Sequence, residues 1–100
     1  MRIKISPFAE QDLDTAVEWY NSKREVLGNE FAYEVSEIFE RIKFNPLQFP
    51  KEYGKMRKAV IKRFPYSVFF VFKDEIAFIL GIFGASRNPN IIKNRYRNER

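Results

Sequence analysis

The chain opens with a short alternation. Arg2, Ile3, Lys4 and Ile5 place charged and apolar side chains on opposite sides, as a strand with one buried face requires. Ser6-Pro7 follows as a helix cap with proline at the first helical position, where its missing N–H costs nothing. Leu13, Ala16, Val17 and Tyr20 then recur at i, i+3, i+4 and i+7, one apolar stripe of an amphipathic helix. Glu10, Asp12, Asp14 and Glu18 read as its solvated acidic face, and Gly28 as its C-cap. Phe31, Val35, Ile38, Phe39 and Ile42 form a second stripe, which Asn45-Pro46 stops. Two such helices joined by a short turn predict an antiparallel hairpin.

Residues 45–56 hold two prolines and a glycine and read as loop. From Arg57 the period changes to strands: Arg57 to Arg63, a break at Phe64-Pro65, Tyr66 to Phe72, a polar turn at Lys73-Asp74, and Glu75 to Phe83. From about residue 90 the chain is expected to be a polar basic tail, partly helical, with Lys93, Arg95, Arg97 and Arg100 as a mobile end. The order β-α-α-β-β-β predicts an α+β fold in a single domain over 1–100. Its N-terminal strand is added alongside a three-strand antiparallel meander to make a mainly antiparallel four-stranded sheet, and the helical hairpin packs on one face.

Tyr66, Val68, Phe70 and Phe72 share one face of their strand, and Ile76, Phe78, Leu80 and Ile82 one face of theirs; Trp19 and Tyr66 read as core aromatics. The opposite faces, with Phe69, Val71, Ile79 and Phe83, are apolar too. One layer of helices covers one face, so the other needs the C-terminal tail or a partner. A partner is favoured here, and a homodimer through the same face is a further option.

Composition removes whole mechanisms. With no Cys and no His there is no thiolate nucleophile, no disulfide, no Ser-His-Asp triad and little basis for a transition-metal site. No cofactor is expected. The N-terminus lacks a signal peptide's apolar core, and Lys73-Asp74-Glu75 interrupts the longest apolar stretch, so no membrane partner is expected and the cytoplasm is the expected location. Charge is unevenly distributed: residues 1–50 carry 6 basic and 9 acidic side chains, residues 51–100 carry 12 and 4. A basic half favours an anionic partner, either nucleic acid or an acidic protein.

The element order, the opening Ile-Lys-Ile-Ser-Pro-Phe-Ala-Glu-Gln-Asp-Leu (3–13), Arg63-Phe64-Pro65-Tyr66 and Ser86-Arg87-Asn88-Pro89 together resemble the RelE/ParE superfamily, the toxin halves of bacterial type II toxin–antitoxin modules. The resemblance spans essentially the whole chain. It implies a small basic toxin neutralised by an acidic, partly disordered antitoxin that folds on binding. It implies one of two targets, the ribosome or DNA gyrase, with no sequence-specific DNA binding of its own.

The RelE-like branch cleaves messenger RNA on the ribosome; the residues available for that chemistry here are Arg57, Arg87, Lys93 and Tyr96. Ser67 stands where that branch carries an arginine, and Lys93 where its tyrosine falls. The ParE-like branch inhibits gyrase without a recognised catalytic constellation, and the Phe64-Pro65-Tyr66 turn and the Ser86–Pro89 ending fit it better. Gly84 stands where that branch usually carries His. The resemblance therefore favours a non-enzymatic gyrase inhibitor, with Arg57, Lys62, Arg63 and Arg87 as target- or antitoxin-binding residues and no metal; the alternatives are a metal-independent ribonuclease and, given Gly84, a detoxified homologue that only binds antitoxin.

Overall fold

A computed structural model describes residues 2–99. Strand β1 (Arg2–Ile5) leads into α1 (Pro7–Lys23) and α2 (Leu27–Phe44). A 3-10 turn (Pro46–Gln48) precedes β2 (Lys51–Tyr53), β3 (Met56–Val60), β4 (Tyr66–Lys73), β5 (Ile76–Gly84) and α3 (Pro89–Glu99). The fold is α+β with a mainly antiparallel sheet, as expected. The sheet has five strands instead of four, in the order β1-β5-β4-β3-β2, with β1 parallel to β5. The extra strand lies inside the segment expected to be loop. Proline ends its influence at Pro50, whose carbonyl accepts the Lys58 N–H at 3.0 Å, and Gly54 at φ 56° lets the chain turn back into β3.

The cap at Ser6 forms as the sequence indicates, its Oγ accepting the Ala9 N–H at 3.1 Å. Gly28 is not a C-cap. The helices break at Arg24–Val26, where Val26 takes the left-handed conformation (φ 59°), and Gly28 sits buried inside α2. It is needed there for contact: a Cβ would collide with the Val17 carbonyl of α1, and its N–H donates to Asn21 Oδ1 at 2.6 Å. The bare backbone lets the two helices meet.

The hairpin buries Ala16, Tyr20, Phe31, Val35, Ile38 and Ile42 against Val68, Phe70, Ala77, Ile79 and Ile82 of the sheet. Tyr66 is half-buried in this core, edge-on to Phe31 at 4.9 Å. Trp19, in contrast, is 52% exposed. It lies about 100° around the helix from Tyr20, on the flank of the buried stripe, and its ring carries the Lys23 ammonium at 4.9 Å.

The two faces of β5 do not divide by simple alternation. Phe69 pairs with Gly81 and Phe70 with Ile79, so Leu80 is the extra residue of a bulge. Beyond it the phase shifts. Ala77, Ile79 and Ile82 face the hairpin, while Phe78, Leu80 and Phe83 face away.

Part of the second face is covered by the chain's own C-terminal segment, the other option the sequence left open. Residues 89–98 belong to α3, and Ile92 (3% exposed) packs with Met56, Phe69, Leu80 and Phe83. Arg100 of the expected basic tail lies outside the described residues. Strand β3 stops at Val60, short of Arg63, because Ile61 and Phe64 both turn inward (2% and 6% exposed). A spacing of three cannot be met by strand alternation.

Candidate binding cleft

Asp12 organises the junction of α1, β5 and α3. It lies on the buried line Ala9–Asp12–Ala16 and is itself only 7% exposed. Its Oδ2 accepts the Ile82 N–H at 3.0 Å and Arg95 Nη1 at 2.6 Å; its Oδ1 accepts Arg95 Nη2 and Arg87 Nη1, both at 3.2 Å. The four bonds fill the lone-pair sites of one carboxylate. Arg95 Nη1 also donates to the Leu80 carbonyl at 3.0 Å, and Gly81 makes room: a Cβ there would be 2.9 Å from that nitrogen and 2.7 Å from Ile92 Cδ1. Both guanidiniums pack on the Phe83 ring, Arg87 at 4.1 Å and Arg95 at 4.8 Å.

Beside this junction a cleft of about 700 Å³ opens on the α3 side of the sheet, bounded by β3, β4, the 61–65 turn, residues 83–87 and the first turns of α3. Among the described residues, Lys58, Lys62, Arg63, Arg87 and Lys93 line it, against one lining carboxylate, Glu52. Val60, 59% exposed, lies on its rim with buried Met56, Phe69 and Phe83 in its wall. Ser67, in the place of the RelE-like arginine, is buried in the same wall.

Not every candidate residue reaches this cleft. Arg57 pairs across the sheet with Phe70, which places it on the helical side, and its Nη1 donates to the Phe49 carbonyl at 2.6 Å. Lys62 is exposed at the rim. Arg63 lines the cleft while ion-pairing with α2, at 2.8 Å to Glu30 and 3.7 Å to Glu34. The hydrogen bond from Arg63 holds the Glu30 carboxyl below its usual range against a smaller opposing effect of desolvation, with Arg24 assisting, and Glu30 in turn raises Arg63. Lys93 lies over the Tyr53 ring at 5.0 Å. Tyr96 is turned to the β2–β3 hairpin, where its Oη accepts the Lys55 N–H at 2.9 Å. The RelE-like set is thus divided: Arg87 and Lys93 share the cleft, while Arg57 and Tyr96 do not line it.

Gly84 pairs with Tyr66 at the end of the sheet, and a Cβ on it would meet the Tyr66 ring carbons at 3.3–3.6 Å. Burial raises the Tyr66 phenol above its ordinary value; Arg87 pulls it down and Asp12 pushes it up, both by less.

Asp12 and Arg95 are the residues that sequence reasoning missed, the first placed on a solvated acidic face and the second in a mobile tail. A signal existed: Asp12 stands three residues after Ala9 and four before Ala16, on the stripe itself. Among the described residues no group of three carboxylates is placed to hold a metal ion, and no helix is long and apolar enough to cross a membrane.

A helical hairpin on one face of a mixed sheet and a terminal helix on the other define an α+β class seen before in solved structures. One chain of a structure described as "Chromosomal ParDE TA system from P. aeruginosa" superposes with a TM-score of 0.75 at 23% identity, covering 84% of this chain and 95% of that one. The chain therefore has a ParE-like fold, in agreement with the resemblance read from its sequence. No protein-family model matches the chain, and no curated protein matches it in sequence.

Proposed function

We propose that this chain is the toxin of a type II toxin–antitoxin pair, that it inhibits DNA gyrase by protein–protein contact, and that an acidic antitoxin silences it in the cytoplasm. The observation that carries this reading is the superposition on a ParDE-system chain over most of both lengths. The cleft supports it: five cations facing one carboxylate over an apolar wall suit an acidic partner with apolar side chains. In this reading Lys62, Arg63 and Arg87 contact the target or the antitoxin, joined by Lys58 and Lys93, and Arg57 acts only in the fold. Arg57 lies on the helical side of the sheet, away from Arg87 and Lys93, which weighs against a ribosome-dependent ribonuclease, whose base and phosphate-binding cations must converge on one ribose.

Gly84 favours a second reading, a toxin fold that has lost toxicity and keeps only antitoxin binding. A Cβ at that position would touch the Tyr66 ring at 3.3–3.6 Å, so a larger side chain there would have to be accommodated beside it, and glycine leaves that space open. Pulse labelling after induced expression in a bacterium separates the readings. Early loss of thymidine incorporation with a DNA-damage response is the expected result. Early loss of methionine incorporation would instead select the ribonuclease, and continued growth the disarmed toxin.

A further inference from the structure

Three charges meet at the head of the cleft, and they are not equivalent. Arg95 is the partner that neutralises Asp12: it approaches with both terminal nitrogens, at 2.6 and 3.2 Å, and its side chain is 14% exposed. Arg87 makes one bond to the same carboxylate, at 3.2 Å, and its side chain is 41% exposed. The group of three carries a net charge of one plus, and the exposed member bears it into the cleft.

We infer that Asp12 is a positioning residue, which presents Arg87 as a preset guanidinium fork to a carboxylate of an acidic polypeptide lying in the cleft. The inference rests on the reading of the cleft given above. Asp12 fixes one edge of the guanidinium and the Phe83 ring, 4.1 Å away, supports one face. The remaining N–H donors, of the five a guanidinium has, are left for a planar oxyanion. An arginine held this way loses less freedom when it binds than one free in solvent.

The same region argues for polypeptide over single-stranded nucleic acid. Bases stack on open aromatic faces. Here most of the rings at the cleft already carry cations: Phe83 beneath Arg87 and Arg95, Tyr53 beneath Lys93 and Arg97, Phe69 beneath Lys58, Phe64 beneath Arg63; Tyr66 is half-buried in the hairpin core. What stays open beside the charges is aliphatic, Val60 above all.

The test is a double-mutant cycle on the full chain, read by fluorescence anisotropy with a labelled peptide of alternating Glu and Ala at low salt, and in parallel with labelled oligouridylate. Arg87→Ala is expected to weaken peptide binding about tenfold. Asp12→Asn should weaken it in the wild-type background and change nothing further in the Arg87→Ala background. Equal losses in both backgrounds would make Asp12 merely structural and overturn the inference. Arg87→Lys, at an exposed position, covers the case in which Asp12→Asn fails to fold: it keeps the charge but not the fork, and should bind nearly as weakly as Arg87→Ala. Full rescue by lysine would overturn the inference while leaving the cleft reading intact. Binding of oligouridylate in preference to the peptide overturns the partner class, and failure of both probes to bind overturns the cleft reading and the inference together.

Discussion

Replacing Arg95 by Met should damage the fold far more than replacing Arg87 by Met, although both arginines touch the same carboxylate. Methionine keeps an unbranched stem that can pack on Phe83 and Phe8, so the change removes charge and hydrogen bonds with little loss of volume. Arg95→Met takes away two bonds to Asp12 and one to the Leu80 carbonyl, all at a largely buried side chain. Breaking a buried ion pair from one side costs about 3–5 kcal/mol, and Arg87 still offers Asp12 a partial counter-charge, so the lower end, about 3 kcal/mol, applies. Arg87→Met removes one bond from a side chain 41% exposed, where solvent screens most of the attraction; about 0–1 kcal/mol is expected. At roughly 4–8 °C per kcal/mol for a chain of this size, the first variant should melt about 12–24 °C lower. Urea titration followed by far-UV circular dichroism gives both numbers. A reduced slope in Arg95→Met would show α3 leaving before the rest unfolds. Equal losses for the two variants, or a larger one for Arg87→Met, would refute this account of Asp12.

Three further outcomes are expected. Gly28→Ala should destabilise the protein by about 1–3 kcal/mol through overpacking against Val17, although helix propensity alone would favour alanine by about 1 kcal/mol, and urea titration decides the sign. Glu30 is held below its ordinary 4.5 chiefly by the Arg63 hydrogen bond, so its contribution to stability is present above that value and disappears as pH falls through the lowered one; Arg63→Gln should move its carboxyl titration upward in NMR, and an unmoved titration would contradict the pairing. Ile92→Ala should cost about 2–4 kcal/mol by opening a cavity over Met56 and Leu80, whereas an unchanged urea midpoint would mean that α3 contributes little to this core.

The helical hairpin and the long strands were legible because their apolar spacing follows single periods over many residues. Strand β2 was not, since three residues between Pro50 and Gly54 carry no period, and its pairing to β3 depends on a neighbour. Gly28 was misread because an interior glycine and a capping glycine look alike until the Val17 carbonyl is in view. The cover of the second face was missed for a similar reason: α3 is strongly polar, and its hold is Ile92 together with two charged or polar side chains, Arg95 and Tyr96, that read as surface. Of the cleft, Lys62, Arg63 and Arg87 could be named from motifs and charge, but the fate of Arg57 depended on which side of β3 it faces, a matter of pairing register.

The bulge at Leu80 works like a single inserted letter in a two-letter reading frame. Every position before it keeps one in-or-out assignment along β5, and every position after it takes the other. Deleting Leu80 would remove the bulge and leave that assignment intact: Gly81 would follow Ile79 in plain alternation, with Ile82 still on the hairpin side and Phe83 still on the α3 side. The pairing of β1 with Arg2 through Ile5 lies wholly upstream and would keep its register. What would be lost is the buried Leu80 side chain of the α3-side core and the carbonyl that accepts from Arg95. In such a deletion, amide exchange should stay slow along β1 and quicken in α3. The bulge thus sets two consecutive positions on the α3 side: Leu80 fills that core, and Gly81, lacking a side chain, leaves room for Ile92 and Arg95.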